Sequence, residues 1–113
     1  MFIDIGGIIM KYSYSEYIPL LKVFADETRL KIIHMLSCGE LCACRILEQL
    51  NITQPTLSYH MKMLTQCELV LARKDGIWMK YQLNETKGVE YKQFIDELLS
   101  NKENCICRKK QGG

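Results

Sequence analysis

No stretch of this 113-residue chain is long and apolar enough to span a bilayer, and its opening does not read as an export signal. The first ten residues, MFIDIGGIIM, lack a basic leading region and carry Asp4. Internal repeats, low-complexity tracts and an inter-domain linker are missing as well, so one compact domain is expected. Only two histidines occur, His34 and His60, and neither has a recognisable nucleophile or acid arrangement around it. There is no glycine-rich phosphate loop and no metal-hydrolase motif. These gaps argue against an enzyme. The formal charge of +2 is too small by itself to announce a polyanionic partner.

Cysteine, by contrast, is abundant: six in a chain without an export signal. That usage points to reduced thiols in a cytoplasm, and to metal binding or redox sensing rather than a disulfide framework. At this length a single core is thin, and an oligomer is a natural way to bury more surface.

Apolar spacing divides the chain into elements. Tyr17, Leu20, Leu21 and Phe24 predict a first helix near 14–25. ADETRLKIIHML predicts a second, capped by Asp26, with Leu30, Ile33 and Leu36 on one face and Gly39 at its end. A third helix is expected over 41–50, burying Leu41, Ile46, Leu47 and Leu50 and closed by Asn51. The fourth starts with Thr53 as cap and Pro55 in its first turn, where a missing N–H costs nothing. LVLARKDGIWMKYQL reads as two strands around the turn sequence Asp75-Gly76. A last helix is expected near 86–102. Residues 1–13 are read as a loosely docked arm, with a natural start at Met10 as the alternative. Residues 103–113 are read as a mobile, cysteine-bearing tail.

Helix, helix, tight connection, helix, hairpin, helix is the order of a winged helix-turn-helix, an α+β fold that is mostly α. The helix before the hairpin would enter the major groove by its N-terminal half, and the two-stranded hairpin would be the wing. On that helix Gln54, Thr56, Ser58, Tyr59 and Lys62 offer donors, acceptors and one cation on a face nearly free of acid. Arg73 and Lys74 add positive charge on the hairpin. A solvated helix face would look the same in isolation; the adjoining basic hairpin favours DNA. His60, at the edge of the polar face, is assigned to packing.

Four segments in order, ADETRLKIIHML, GELCACRIL, ITQPTLSYHMKML and ARKDGIWMKYQL, resemble the successive motifs of the arsenical-resistance repressor (ArsR/SmtB) family across roughly residues 14–100. The resemblance implies a winged-helix homodimer paired through its first and last helices. Such a dimer represses a resistance operon and leaves double-stranded operator DNA when a thiophilic or transition-metal ion binds. It also implies that Gln54, Thr56, Ser58 and Tyr59 reach the operator and that Arg73 and Lys74 belong to the wing.

Cys42 and Cys44 fall at the mouth of the expected third helix, where the helix dipole and Arg45 favour thiolate. Thiolates select soft ions. Residues two apart on a regular helix point roughly 200° apart. Two sulfurs at about 2.3 Å from one ion therefore require that turn to distort, beside the recognition helix. Both cysteines merely filling space is the plainer alternative.

The arsenic-sensing form of the motif resembles two cysteines followed by a third one turn later; here that position is Leu47, and Arg45 replaces the family's common acid. As(III) and Sb(III), the expected inducers, want three thiolates, so Cys105 and Cys107 of the tail are expected to help complete a site with Cys42 and Cys44. Cys38 lies beyond Gly39, and Cys67 reads as structural. Three rivals remain open. One is the same fold sensing Cd(II) or Pb(II) through those four sulfurs, and another is a thiol-redox repressor. The third is a small C-x-C oxidoreductase, although C-x-x-C is the usual redox spacing. The last helical segment has no histidine, which argues against the zinc site that relatives build at the dimer interface. No organic cofactor, membrane or small-molecule substrate is expected.

Overall fold

Side-chain caps fix where most of the helices begin. In a computed structural model, which describes residues 13–100 and the backbone of 3–5 and 8–10, the helices are α1 (Tyr14–Phe24), α2 (Glu27–Leu36), α3 (Ala43–Leu50), α4 (Gln54–Gln66) and α5 (Glu85–Leu99). Asp26 accepts the Arg29 N–H at 2.9 Å, Thr53 that of Thr56 at 3.3 Å, and Asn84 that of Lys87 at 3.2 Å. Each satisfies a donor that the first helical turn leaves without a partner. Asn51 ends α3 in the left-handed conformation, φ 53°, where a short polar side chain is tolerated.

The strands are β1 (Ile3–Ile5), β2 (Ile8–Met10), β3 (Leu41–Cys42), β4 (Val70–Asp75) and β5 (Trp78–Leu83). β4 and β5 are joined by a two-residue turn: Asp75 pairs with Trp78, and Gly76 takes φ +64° between them. A side chain is strained there, which is why glycine follows Asp75. β3 adds to the other edge of β5, giving an antiparallel sheet in the order β3-β5-β4. β1 and β2 pair with each other, Ile3 with Met10 and Ile5 with Ile8.

The core lies where the five helices and one face of the sheet pack together. Ile32, Ile46, Leu64 and Val70 are almost wholly excluded from solvent. Tyr17 stacks on Phe94 with ring centroids 4.1 Å apart, fastening α1 to α5. Five helices with an antiparallel sheet make this a winged helix-turn-helix.

Three local expectations need correction. The third helix begins at Ala43, not at 41, because Leu41 and Cys42 pair with Tyr81 and Lys80 and are drawn into the sheet. The wing is therefore part of a three-stranded sheet rather than an isolated hairpin. On α2 the buried residues are Arg29, Ile32 and Leu36, while Leu30 is about half exposed; the inward face is turned by one position, and the arginine finds partners inside. The pairing of β1 with β2 was not anticipated within the arm, although two isoleucine-rich triplets flank Gly6-Gly7 in the sequence. Cys105 and Cys107 lie outside the described residues, as does everything from 101 onward.

Candidate nucleic-acid interface and thiol site

α4 buries Leu57, His60, Met61 and Leu64 and leaves its other side in solvent. Gln54, Thr56, Ser58, Tyr59 and Lys62 are all exposed, Tyr59 to 57 %. Gln54, Thr56, Ser58 and Tyr59 lie in the N-terminal half of the helix, the part a major groove can admit, and Lys62 follows one turn later. Thr53 caps this end and also donates to the Thr56 hydroxyl at 2.9 Å, so Thr56 is held in place with its own proton free. His60 is on the inner side, 8 % exposed, with Arg29 Nη1 3.1 Å from its Nδ1.

Lys74 and Arg73 both sit on β4, and successive strand residues face opposite ways. Lys74 is exposed. Arg73 is engaged: its Nε and Nη2 bind the two Glu40 oxygens at 2.8 and 2.7 Å. This two-pronged contact holds the Glu40 carboxyl below the usual carboxylate range and raises Arg73. Lys80, opposite Arg73 in the ladder, reaches Asp75 at 3.0 Å and lowers its pKa in turn.

Cys42 and Cys44 are brought together where β3 runs into α3. Cys42 is the last residue of β3 and the N-cap of α3, with extended backbone angles, φ −70° and ψ 144°. Its sulfur accepts the Cys44 N–H at 3.3 Å. The neighbouring Cys44 thiol lowers Cys42 below the ordinary thiol range and is itself raised by Cys42. The backbone N–H of Cys44 and the Lys80 ammonium reinforce the lowering. The expectation that both cysteines are helical, and so diverge, is overturned by the strand at Leu41–Cys42. Both cysteines are half-buried and free of disulfides.

As a donor set this fits a thiophilic ion in part. Two sulfurs, one biased to thiolate, are already adjacent, but among the described residues no three Cys, His, Asp or Glu side chains converge. Cys38 is exposed at the end of α2 and Cys67 caps the far end of α4. Leu47 packs against the core.

The sequence profile of the bacterial regulatory protein, arsR family, matches residues 26–71, which run from the cap of α2 into β4. The arsenical resistance operon repressor of Staphylococcus aureus is 44 % identical over 101 residues, 89 % of this chain and 97 % of that protein. The chain belongs to the arsR family. Another member, the arsenical resistance operon repressor of Staphylococcus xylosus, is 45 % identical over 101 residues, 89 % of this chain and 97 % of its own. Among solved arsR-like folds, HlyU from Vibrio cholerae superposes with a TM-score of 0.65 at 30 % identity, over 80 % of this chain and 98 % of that one. Membership makes this a DNA-binding transcription repressor with a winged helix-turn-helix fold. Among the described residues no helix is long and apolar enough to cross a membrane.

Two residues in contact with the candidate site were given no place in it by the sequence: Glu40, and Lys80, which counted only among the basic residues of 53–82. Lys80 was within reach, because a two-residue turn at Gly76-Ile77 dictates the pairing of Arg73 with Lys80. Glu40 is joined to Arg73 across 33 positions of sequence, and no local pattern carries that.

Proposed function

We propose that this protein is a homodimeric, cytoplasmic repressor of a metalloid-resistance operon. In this reading it leaves its operator when As(III) or Sb(III) is taken up by the thiols of Cys42 and Cys44. The observation that carries the reading is the adjacent Cys42–Cys44 pair at the start of α3, a helix in contact with α4. The names of the staphylococcal relatives support the metalloid.

Gln54, Thr56, Ser58, Tyr59 and Lys62 read the operator from α4, and Arg73 and Lys74 meet its phosphates from the wing. The Cys42 and Cys44 sulfurs each replace a hydroxide of arsenous acid; an As–S bond forms, an As–O bond breaks, and the thiol proton leaves with the hydroxide as water. Cys105 and Cys107 supply further sulfur. The dimer pairs through α1 and α5, whose Ile18, Leu21, Val89, Leu98 and Leu99 are exposed. An open groove of about 800 Å³ runs beside α5, lined by Phe24, Ile33, Val89, Ile95 and Leu99 among others. Sedimentation of the full chain at micromolar concentration should give a dimer.

The closeness of Cys42 to Cys44 also favours a second reading, in which the pair is oxidised rather than metallated. Anaerobic titration of the operator complex separates them. Arsenite or antimonite should release DNA without oxidant. Release only by cadmium or lead would assign the four-sulfur alternative, and release only by oxidant would assign redox sensing.

A further inference from the structure

Cys42, Lys80 and Arg73 form one row across the sheet: Cys42 pairs with Lys80 on β5, and Lys80 pairs with Arg73 on β4. Directly paired residues share a face of a sheet. The face opposite the core therefore carries a thiol at one edge strand and the wing guanidinium at the other, about 10 Å apart across two strand spacings. Glu40 precedes Cys42 by two residues, on the same face, and its carboxylate reaches over β5 to grip Arg73 with both oxygens. One segment of five residues, 40–44, thus holds the sensing thiols and the wing's clasp.

We infer that Glu40 is a positioning residue that couples the Cys42–Cys44 pair to the wing. It holds the Arg73 guanidinium in the orientation that meets DNA, and releases or shifts it when Cys42 is ligated. The inference rests on the reading of Cys42 and Cys44 as the inducer site.

The chemistry supports both halves. An arginine has five N–H donors, and the clasp uses one on Nε and one on Nη2. Three remain for a phosphate, aimed by a rigid fork rather than by a flexible stem. At the other end, the Cys42 sulfur now accepts the Cys44 N–H and caps α3. A sulfur that ligates an ion gives up part of that contact, and the junction of β3 with α3 must readjust. Only Leu41 lies between Cys42 and Glu40, so a shift of β3 is delivered to Glu40 with little slack. The route to DNA then runs through the sheet, in addition to any path through the packing of α3 on α4.

Trp78 makes the wing observable. It is the only tryptophan of the chain and sits opposite Asp75 beside the turn. The full-length protein is titrated anaerobically with arsenite, following thiolate–arsenic absorbance for occupancy, Trp78 emission for the wing, and affinity for the operator duplex. In the wild type, arsenite should change Trp78 emission and lower operator affinity by a factor in the range of about 5–150. Glu40→Gln should bind arsenite as before, lose at least half of the emission change, and bring the affinity ratio towards one. Arg73→Lys, which keeps the charge but cannot make the two-pronged contact, should behave the same way. Both positions are exposed, so neither variant threatens the core. Wild-type occupancy, emission change and release in both variants would overturn the inference. If the wild type binds arsenite and its emission changes, but DNA is not released, the proposed function fails while the clasp stands. If arsenite does not bind, both fail.

Discussion

Arg29 and His60 meet inside the protein, Nη1 of the first 3.1 Å from Nδ1 of the second, although 31 positions separate them in sequence. A guanidinium only donates, so Nδ1 must be the accepting nitrogen of the ring. Arg29 Nε also donates to the Val23 carbonyl at 2.8 Å, and its backbone N–H is held by Asp26. One buried arginine therefore joins the end of α1, the start of α2 and the middle of the recognition helix.

Arg29→Met keeps the volume but removes these donors, leaving His60 Nδ1 and the Val23 carbonyl without partners. At about 1–3 kcal/mol for a buried unsatisfied group, the variant should lose roughly 2–4 kcal/mol of folding stability. Urea denaturation followed by circular dichroism measures it. A loss under about 1 kcal/mol would mean that the cluster does not anchor α4.

Operator recognition should divide between α4 and the wing. Ser58→Ala and Tyr59→Ala should each weaken operator binding by about 1–3 kcal/mol if the side chain contacts a base. Lys74→Ala and Arg73→Ala should weaken binding to every duplex and reduce the salt slope by about 1 apiece. Titrations of operator and scrambled DNA across a salt series distinguish the two classes. Unchanged affinity in the Ser58→Ala/Tyr59→Ala double variant would remove the recognition face from α4.

Arsenite response should depend on Cys42 and Cys44 individually. Serine at either position should abolish release and leave ion-free operator binding nearly intact. Cys105→Ser/Cys107→Ser should weaken the response without eliminating it. X-ray absorption on the arsenic complex counts sulfurs directly. Two sulfurs in the wild type, with normal release in the tail double variant, would leave the tail without a role.

Acid should destabilise the fold through its clasped carboxylates. The Arg29 N–H lowers Asp26, and the Arg73 side chain lowers Glu40. Groups depressed on folding contribute stability that is complete above their unfolded value, about 4, and is lost as pH falls through the lower folded value. The denaturation midpoint should be flat from pH 7 to about 5 and decline below about 4. Asp26→Asn retains a capping oxygen and should flatten the acid limb while changing neutral stability little. An unaltered acid limb would contradict the assignment.

Much of this fold was legible because its signals are local. Asp26 and Thr53 announce their helices by spacing alone, and Asp75-Gly76 announces the turn. Leu57, Met61 and Leu64 mark the inner side of α4 as plainly as Ser58 and Tyr59 mark the outer. β3 was not legible: two residues have no periodicity, and the apolar pattern of α3 extends back over Leu41 without a break. That one misplacement turned an adjacent thiol pair into a diverging one. Arg29 was hidden for a different reason. Arginine is rarely buried without partners, and the partner on α4, His60, lies 31 positions away, beyond any local window.

Cys42 starts a helix with the same sulfur that the proposed function assigns to the inducer, and a thiol is a poor substitute for the oxygen that helix starts prefer. Serine differs from cysteine by that one atom. The ion-blind protein is then at least as easy to fold as the sensor, and it should still sit on its operator. Nothing in the physics of folding guards the sensing thiol against drift. A lineage no longer exposed to the ion can pass to a permanently silenced operon in one codon change, with a protein that folds normally throughout.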